Sequence, residues 1–150
     1  MFSRTNRDFF CFMKYLLEDD FEYDFSLYGI SSHEKDYRVC WAVNKALDLS
    51  LTKQNDKIEV FHKRQNRYSH HSIFSEFDFE KEEEVHLISN RTKSGYLIPE
   101  QKHADYLLMV KGDAIVDKTE IVQKLRQIHF ILMCFEIEVS LLKSKDNLMF

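Results

Sequence analysis

Apolar and polar residues alternate through Phe25-Ser26-Leu27-Tyr28-Gly29-Ile30, which predicts a first strand. The period then lengthens. Val39, Cys40, Val43, Ala46 and Leu47 recur at helical spacing and predict a helix over about 33–47. Ser31 followed by Glu34 has the spacing of a capping box at its start. Trp41 falls off that apolar stripe, toward the exposed side. Leu49-Ser50-Leu51-Thr52 reads as a second strand, Gln54-Asn55-Asp56 as a turn, and Ile58-Glu59-Val60-Phe61 as a third strand. After the loop His62 to Arg67, a long fourth strand is predicted from Tyr68 to Phe79. It places Ile73, Phe77 and Phe79 on one face and Glu76, Asp78 and Glu80 on the other. Lys81 to Glu84 turn the chain into a fifth strand, Val85 to Ser89.

A polar connection, Asn90 to Gly95, leads to the short extended piece Tyr96-Leu97-Ile98. Pro99, the only proline, suits the first position of a single helical turn. Tyr106 to Val110 is apolar on both faces, so this strand is expected in the middle of a sheet. Asp117 and Glu120 repeat the cap spacing before a second helix over about 118–127, with Ile121, Val122, Leu125 and Ile128 inward. Phe130 to Phe135 reads as another two-sided apolar strand, and Leu148-Met149-Phe150 is expected to dock. Strands running consecutively between two strand-helix-strand units define an α+β class. The expectation is a single, mostly antiparallel sheet of about six strands with two main helices packed on one face. One domain, 13–150, is expected. Residues 1–12 are expected to be a disordered or mis-assigned N-terminal extension, with Met13-Lys14 as the native start.

Composition narrows the function classes. A chain of 150 residues, 44% apolar and 31% charged, fits one globular domain. Its 13 Phe and 7 Tyr promise a large aromatic contribution to packing. A net charge of −4 argues against general electrostatic capture of nucleic acid or of an anionic membrane, while leaving room for a local basic patch. Cys11, Cys40 and Cys134 are odd in number and fit no metal knuckle; Cys40 and Cys134 sit in apolar runs and are expected as buried thiols, in a reducing cytoplasm. The seven histidines show no ligand spacing; adjacent His70 and His71 point to opposite faces of a strand. No metal, cofactor, glycine-rich phosphate loop or nucleophile elbow is indicated.

Ile98-Pro99-Glu100-Gln101-Lys102-His103-Ala104-Asp105-Tyr106 resembles the signature of the uncharacterised bacterial IPExxxVDY family, with Ala104 where that pattern has Val. The helix Asp36-Tyr37-Arg38 through Asn44-Lys45 and the closing segment Leu142 to Phe150 resemble the same family. The family has no established activity, and none of the three segments is a catalytic motif. The resemblance does imply neighbours in the genome: ribonuclease III, acyl carrier protein and pyruvate kinase.

Candidate site residues are Arg38, Asn44, Pro99, Glu100, Asp105 and Tyr106. Asp105 is expected to cap the turn that Pro99 opens, Arg38 to reach Asp105 or Glu100, and Asn44 to hold a neighbouring loop by amide bonds. No residue is assigned as catalytic. The leading expectation is a non-catalytic protein-interaction or regulatory module, with a protein partner or a homodimer and no membrane association. One alternative is an RNA-associated accessory protein using the basic loop 57–67, where Lys57, Lys63, Arg64 and Arg67 would contact phosphates beside Phe61 and Tyr68. The other is an enzyme with a site near Glu100, His103 and Asp105.

Overall fold

The computed structural model describes residues 24–113 and 118–150. The expected N-terminal extension, the Met13 start, Cys11 and the Asp117 cap lie outside the described residues. Among the described residues, ten strands and two α-helices follow one another: β1 (Phe25–Ser31), α1 (Asp36–Leu47), β2 (Thr52–Lys53), β3 (Ile58–His62), β4 (Arg67–His71), β5 (Ile73–Asp78), β6 (Glu83–Ser89), β7 (Arg91–Thr92), β8 (Gly95–Tyr96), β9 (Tyr106–Lys111), α2 (Lys118–Arg126) and β10 (Met133–Ile137). Six strands form one sheet in the order β10-β1-β9-β6-β5-β2, with every neighbouring pair antiparallel. The fold is α+β, as the pattern predicts. β9 lies between β1 and β6, which explains why Tyr106 to Val110 is apolar on both sides.

Strand alternation divides the sheet into two covered faces. Tyr28, Ile30, Leu87, Leu108 and Val110 point to one, where both helices add Val39, Val43, Ile121 and Leu125. Leu27, Ile73, Ile88, Leu107 and Met109 point to the other, which has no α-helix over it among the described residues. Its cover is made of Leu97 and Ile98, the hairpin residues Ile58 and Val60, and the C-terminal residues Val139, Leu142 and Leu148. Leu148 is buried, so the end of the chain docks as expected, while Met149 and Phe150 stay half-exposed.

Several expectations are corrected by long-range pairing. The fourth strand is not continuous: it breaks at Ser72, and β4 leaves the main sheet to pair with β3. The Ser72 hydroxyl donates to Asp36 Oδ2 at 2.8 Å, a bond that sequence spacing does not contain. The capping box is not formed. Ser31 turns its hydroxyl to Asp105, and α1 starts later, at Asp36, behind Lys35, which makes no side-chain cap. Asp36 still serves the first turn, accepting from the Tyr37 N–H at 2.7 Å. The last apolar run does not form a two-sided inner strand. β10 is at the margin of the sheet, and Leu132 and Met133 are largely exposed.

Candidate functional site

The 98–106 segment follows from proline's fixed φ. Pro99 occupies the second position of a β-turn closed by the Gln101 N–H on the Ile98 carbonyl at 3.1 Å. A second turn follows at once, closed by the Ala104 N–H on the Gln101 carbonyl at 3.1 Å. Two consecutive turns replace the expected helical turn. Both are held from beneath by Asn90, whose side chain is entirely buried. Asn90 Nδ2 donates to the carbonyls of Gln101 and Ala104 at 3.0 and 2.7 Å, and its Oδ1 accepts the Ile98 N–H at 2.7 Å. Sequence reasoning does not find this residue. An Asn directly after an apolar strand is the only local signal, and many loops share it.

The acidic residues of the segment are engaged separately. Asp105 Oδ2 accepts the Ser32 N–H at 2.9 Å, and Oδ1 lies 3.7 Å from Arg91. It therefore caps the loop after β1, not the turn opened by Pro99. Glu100 reaches the other way and accepts from the Ser144 N–H and hydroxyl at 2.9 and 2.6 Å. Partial burial raises the Glu100 pKa, but these bonds outweigh it and hold the carboxyl below its usual value. Arg38 contacts neither acid. It pairs with Glu34 at 3.3 Å and lies over the Phe130 ring. Asn44 holds the 49–51 loop, with Oδ1 taking the Leu51 N–H and Nδ2 donating to its carbonyl. Tyr106 gives its hydroxyl to the Glu34 carbonyl; burial, with Asp36, Asp105 and Glu34 nearby, pushes its pKa up to about 12. His103 is exposed. Glu100, His103 and Asp105 line neither of the two cavities described below.

A different assembly does converge. The β3–β4 hairpin turns at Lys63 to Asn66, where Asn66 takes a left-handed φ of 48° that asparagine tolerates. The β7–β8 hairpin lies beside it. Gly95 is required at the join: a Cβ there would be 2.6 Å from the His62 ring. Between the two tips is a cleft of about 800 Å³ lined by Lys63, Arg64, Arg67, Arg91 and Lys93, with Pro99 on one wall. No carboxylate among the described residues lines it. Phe61 and Tyr68, both substantially exposed, pack at 5.0 Å one pair back from the turn of the first hairpin. Lys57 does not belong to this cleft; it lines a separate cavity. Comparison with protein-family models, curated proteins and solved structures found no match for this chain. What the cleft can do must therefore be read from its own chemistry.

Beneath the cleft runs a chain of hydrogen bonds with a defined direction. The Ser89 carbonyl can only accept, so His71 Nδ1, 2.7 Å away, carries the proton. Burial holds the His71 pKa below its ordinary value, an effect that neighbouring His62 and His70 reinforce and the Ser89 bond opposes. Neutral His71 then accepts the Ser69 hydroxyl on Nε2 at 2.6 Å, and Ser69 accepts from His62 Nε2 at 2.7 Å. His62 is thereby fixed at the floor of the cleft, with a ring nitrogen committed inward. Sequence reasoning locates half of this site. Arg91 and Lys93 read as ordinary loop residues, because only the fold brings the second hairpin beside the first.

Proposed function

We propose that this chain is an accessory module that binds the phosphate backbone of single-stranded RNA in the cleft between the two hairpins. The observation carrying this reading is the convergence of Lys63, Arg64, Arg67, Arg91 and Lys93 on one concavity in a chain whose net charge is −4. A surface that is negative overall repels polyanions except where cations are concentrated, which confines binding to the cleft. Phe61 and Tyr68 beside it offer faces on which bases stack. The compartment we infer is a reducing cytoplasm. Cys40 and Cys134 are free and buried, and burial pushes both pKa values up to about 11. No helix among the described residues is long and apolar enough to cross a membrane.

The test is fluorescence anisotropy with a labelled single-stranded RNA at several salt concentrations. Neutralising three or four phosphates gives a slope of log K against log salt of roughly −2 to −3. The triple variant Lys63→Ala, Arg64→Ala, Arg67→Ala is expected to lose most of the affinity and most of that slope. Binding that is insensitive to salt, or unchanged in the triple variant, rejects the cleft as an RNA site.

A second reading, a protein-docking or homodimer module, is favoured by α1. Tyr37 and Trp41 are 64% and 62% exposed, one helical turn apart on the same side. Sedimentation of the wild type against Trp41→Ala decides it: a monomer at micromolar concentration counts against the homodimer.

A further inference from the structure

On the loop-covered face of the sheet lies a second cavity, of about 630 Å³, whose walls include Ile58, Ile73, Phe77, Met149 and Phe150. Ser75 and His86 also line it. The two residues are direct partners in the β5–β6 register, so their side chains emerge side by side on one face. Ser75 Oγ lies 2.6 Å from His86 Nδ1. His86 Nε2 lies 3.0 Å from Oε2 of Glu84, two residues along β6 on the same face. Lys111 stands 3.7 Å from that carboxylate.

The protons on this chain can be placed. Burial raises the Glu84 pKa, but His86 and Lys111 outweigh it and hold the carboxyl below its usual value, so it is ionised at neutral pH. A carboxylate only accepts, so His86 carries its proton on Nε2. Burial keeps the imidazole neutral, against the pull of Glu84. Its free lone pair on Nδ1 therefore faces the Ser75 hydroxyl. This is a hydroxyl hydrogen-bonded to a base that a carboxylate orients, the arrangement that activates a serine. The imidazole is used end for end relative to the familiar serine proteases, whose serine meets Nε2.

We propose that this cavity is a hydrolytic site at which Ser75 attacks small uncharged carboxylic esters with an apolar acyl group, with His86 as general base. Ser75 Oγ bonds to the ester carbonyl carbon while its proton passes to His86 Nδ1. The tetrahedral carbon then expels the alkoxide, which takes that proton and leaves as the alcohol. Water, deprotonated by the same nitrogen, attacks the acyl-serine and releases the carboxylic acid and the free hydroxyl. The apolar walls suit an acyl chain, and Asp56, Glu59 and Asp146 in the lining repel anionic substrates. Ser75, only 2% exposed, lies in the wall of this cavity. Glu84 is a positioning residue, acting through His86.

The experiment treats the wild-type protein with an alkyl fluorophosphonate and reads the adduct by peptide mass spectrometry, beside hydrolysis of p-nitrophenyl butyrate. The expected result is a single adduct on Ser75. Ester turnover should be lost in Ser75→Ala, and labelling should be slowed about 100-fold or more in His86→Gln. Glu84→Gln is expected to slow labelling, and Glu84→Asp to restore part of the rate. The proposal is overturned if folded wild-type protein forms no adduct on Ser75 under conditions that fully label a known serine hydrolase. It is equally overturned if the adduct falls on another serine alone, or if Ser75→Ala hydrolyses the ester at the wild-type rate. Because the adduct is read on the wild type, the test stands even where a variant fails to fold.

Discussion

On one face of the sheet, α1 and α2 press Val39, Val43, Ile121 and Leu125 onto Ile30, Leu87 and Leu108; on the other, turns, a hairpin and a C-terminal segment do the covering. Helices satisfy their own backbone groups, so a helical cover needs only apolar side chains. Loops bring unpaired N–H and C=O groups with them, and these must be met from inside. The loop-covered side accordingly contains buried polar residues: Asn90 under the double turn, His71 and Ser69 under the hairpins, Ser75 and His86 on the sheet itself. Both proposed sites lie on this side, where polar groups are already gathered and directed.

The loop-covered face is most sensitive at Asn90. Asn90→Ala leaves the Ile98 N–H and the Ala104 carbonyl without the side chain that meets them, and the Gln101 carbonyl with the Ala104 N–H alone, and is expected to cost about 4 kcal/mol in urea denaturation. Ile121→Ala, which empties space under α2, is expected to cost about 3 kcal/mol. The two should differ in location: hydrogen exchange should quicken first over 97–104 in the former and over α2 in the latter. A loss under about 1 kcal/mol for Asn90→Ala would mean that the turns hold themselves.

The two faces should also fail at opposite ends of the pH scale. His71 and His86 are kept neutral by burial, with folded pKa values below 6.5. As pH falls below about 6.5, the unfolded chain takes up protons that the fold refuses, so stability drops with acid. Glu84 and Glu100, held below 4.5, add a second loss at lower pH as they are protonated. On the helical side burial raises Cys40 and Cys134 to about 11 and Tyr106 to about 12. There the unfolded chain releases protons first, so stability falls as pH rises above about 9. Urea midpoints across pH should show both limbs, with His71→Asn flattening the acid limb and Cys40→Ala the alkaline one. The smallest effect is expected at Glu100. Its two bonds to Ser144 lie at the surface, so Glu100→Gln should cost less than about 1 kcal/mol by the same assay.

The two faces are unequally legible in the sequence. The stripe Val39, Cys40, Val43 and the inward residues Ile121 and Leu125 follow from helical periodicity, and β9 from its two-sided apolarity. These signals are local, so sequence carries them. The break at Ser72 depends on Asp36 and Ser89, and the position of β10 depends on its having only β1 as partner among the described residues. Neither is written in the neighbouring residues. The candidate sites show the same divide. Lys63, Arg64 and Arg67 are visible as a run, whereas Arg91 and Lys93 join them only through the packing of two hairpins. Ser75 and His86 are unremarkable as single residues, because a cross-strand register of side chains has no sequence motif.

The placement of β1 governs how the molecule can be assembled. Tyr28 has Leu108 on one side and Glu136 on the other, so both neighbours of this strand are synthesised long after it. The β5–β6 hairpin and then β9 can join soon after they emerge, but β1 has to wait and slot between two late arrivals. Closing such long loops makes refolding slow, and through that interval Leu27 and Ile30 stay exposed on a nascent chain that has to be kept from sticking to others.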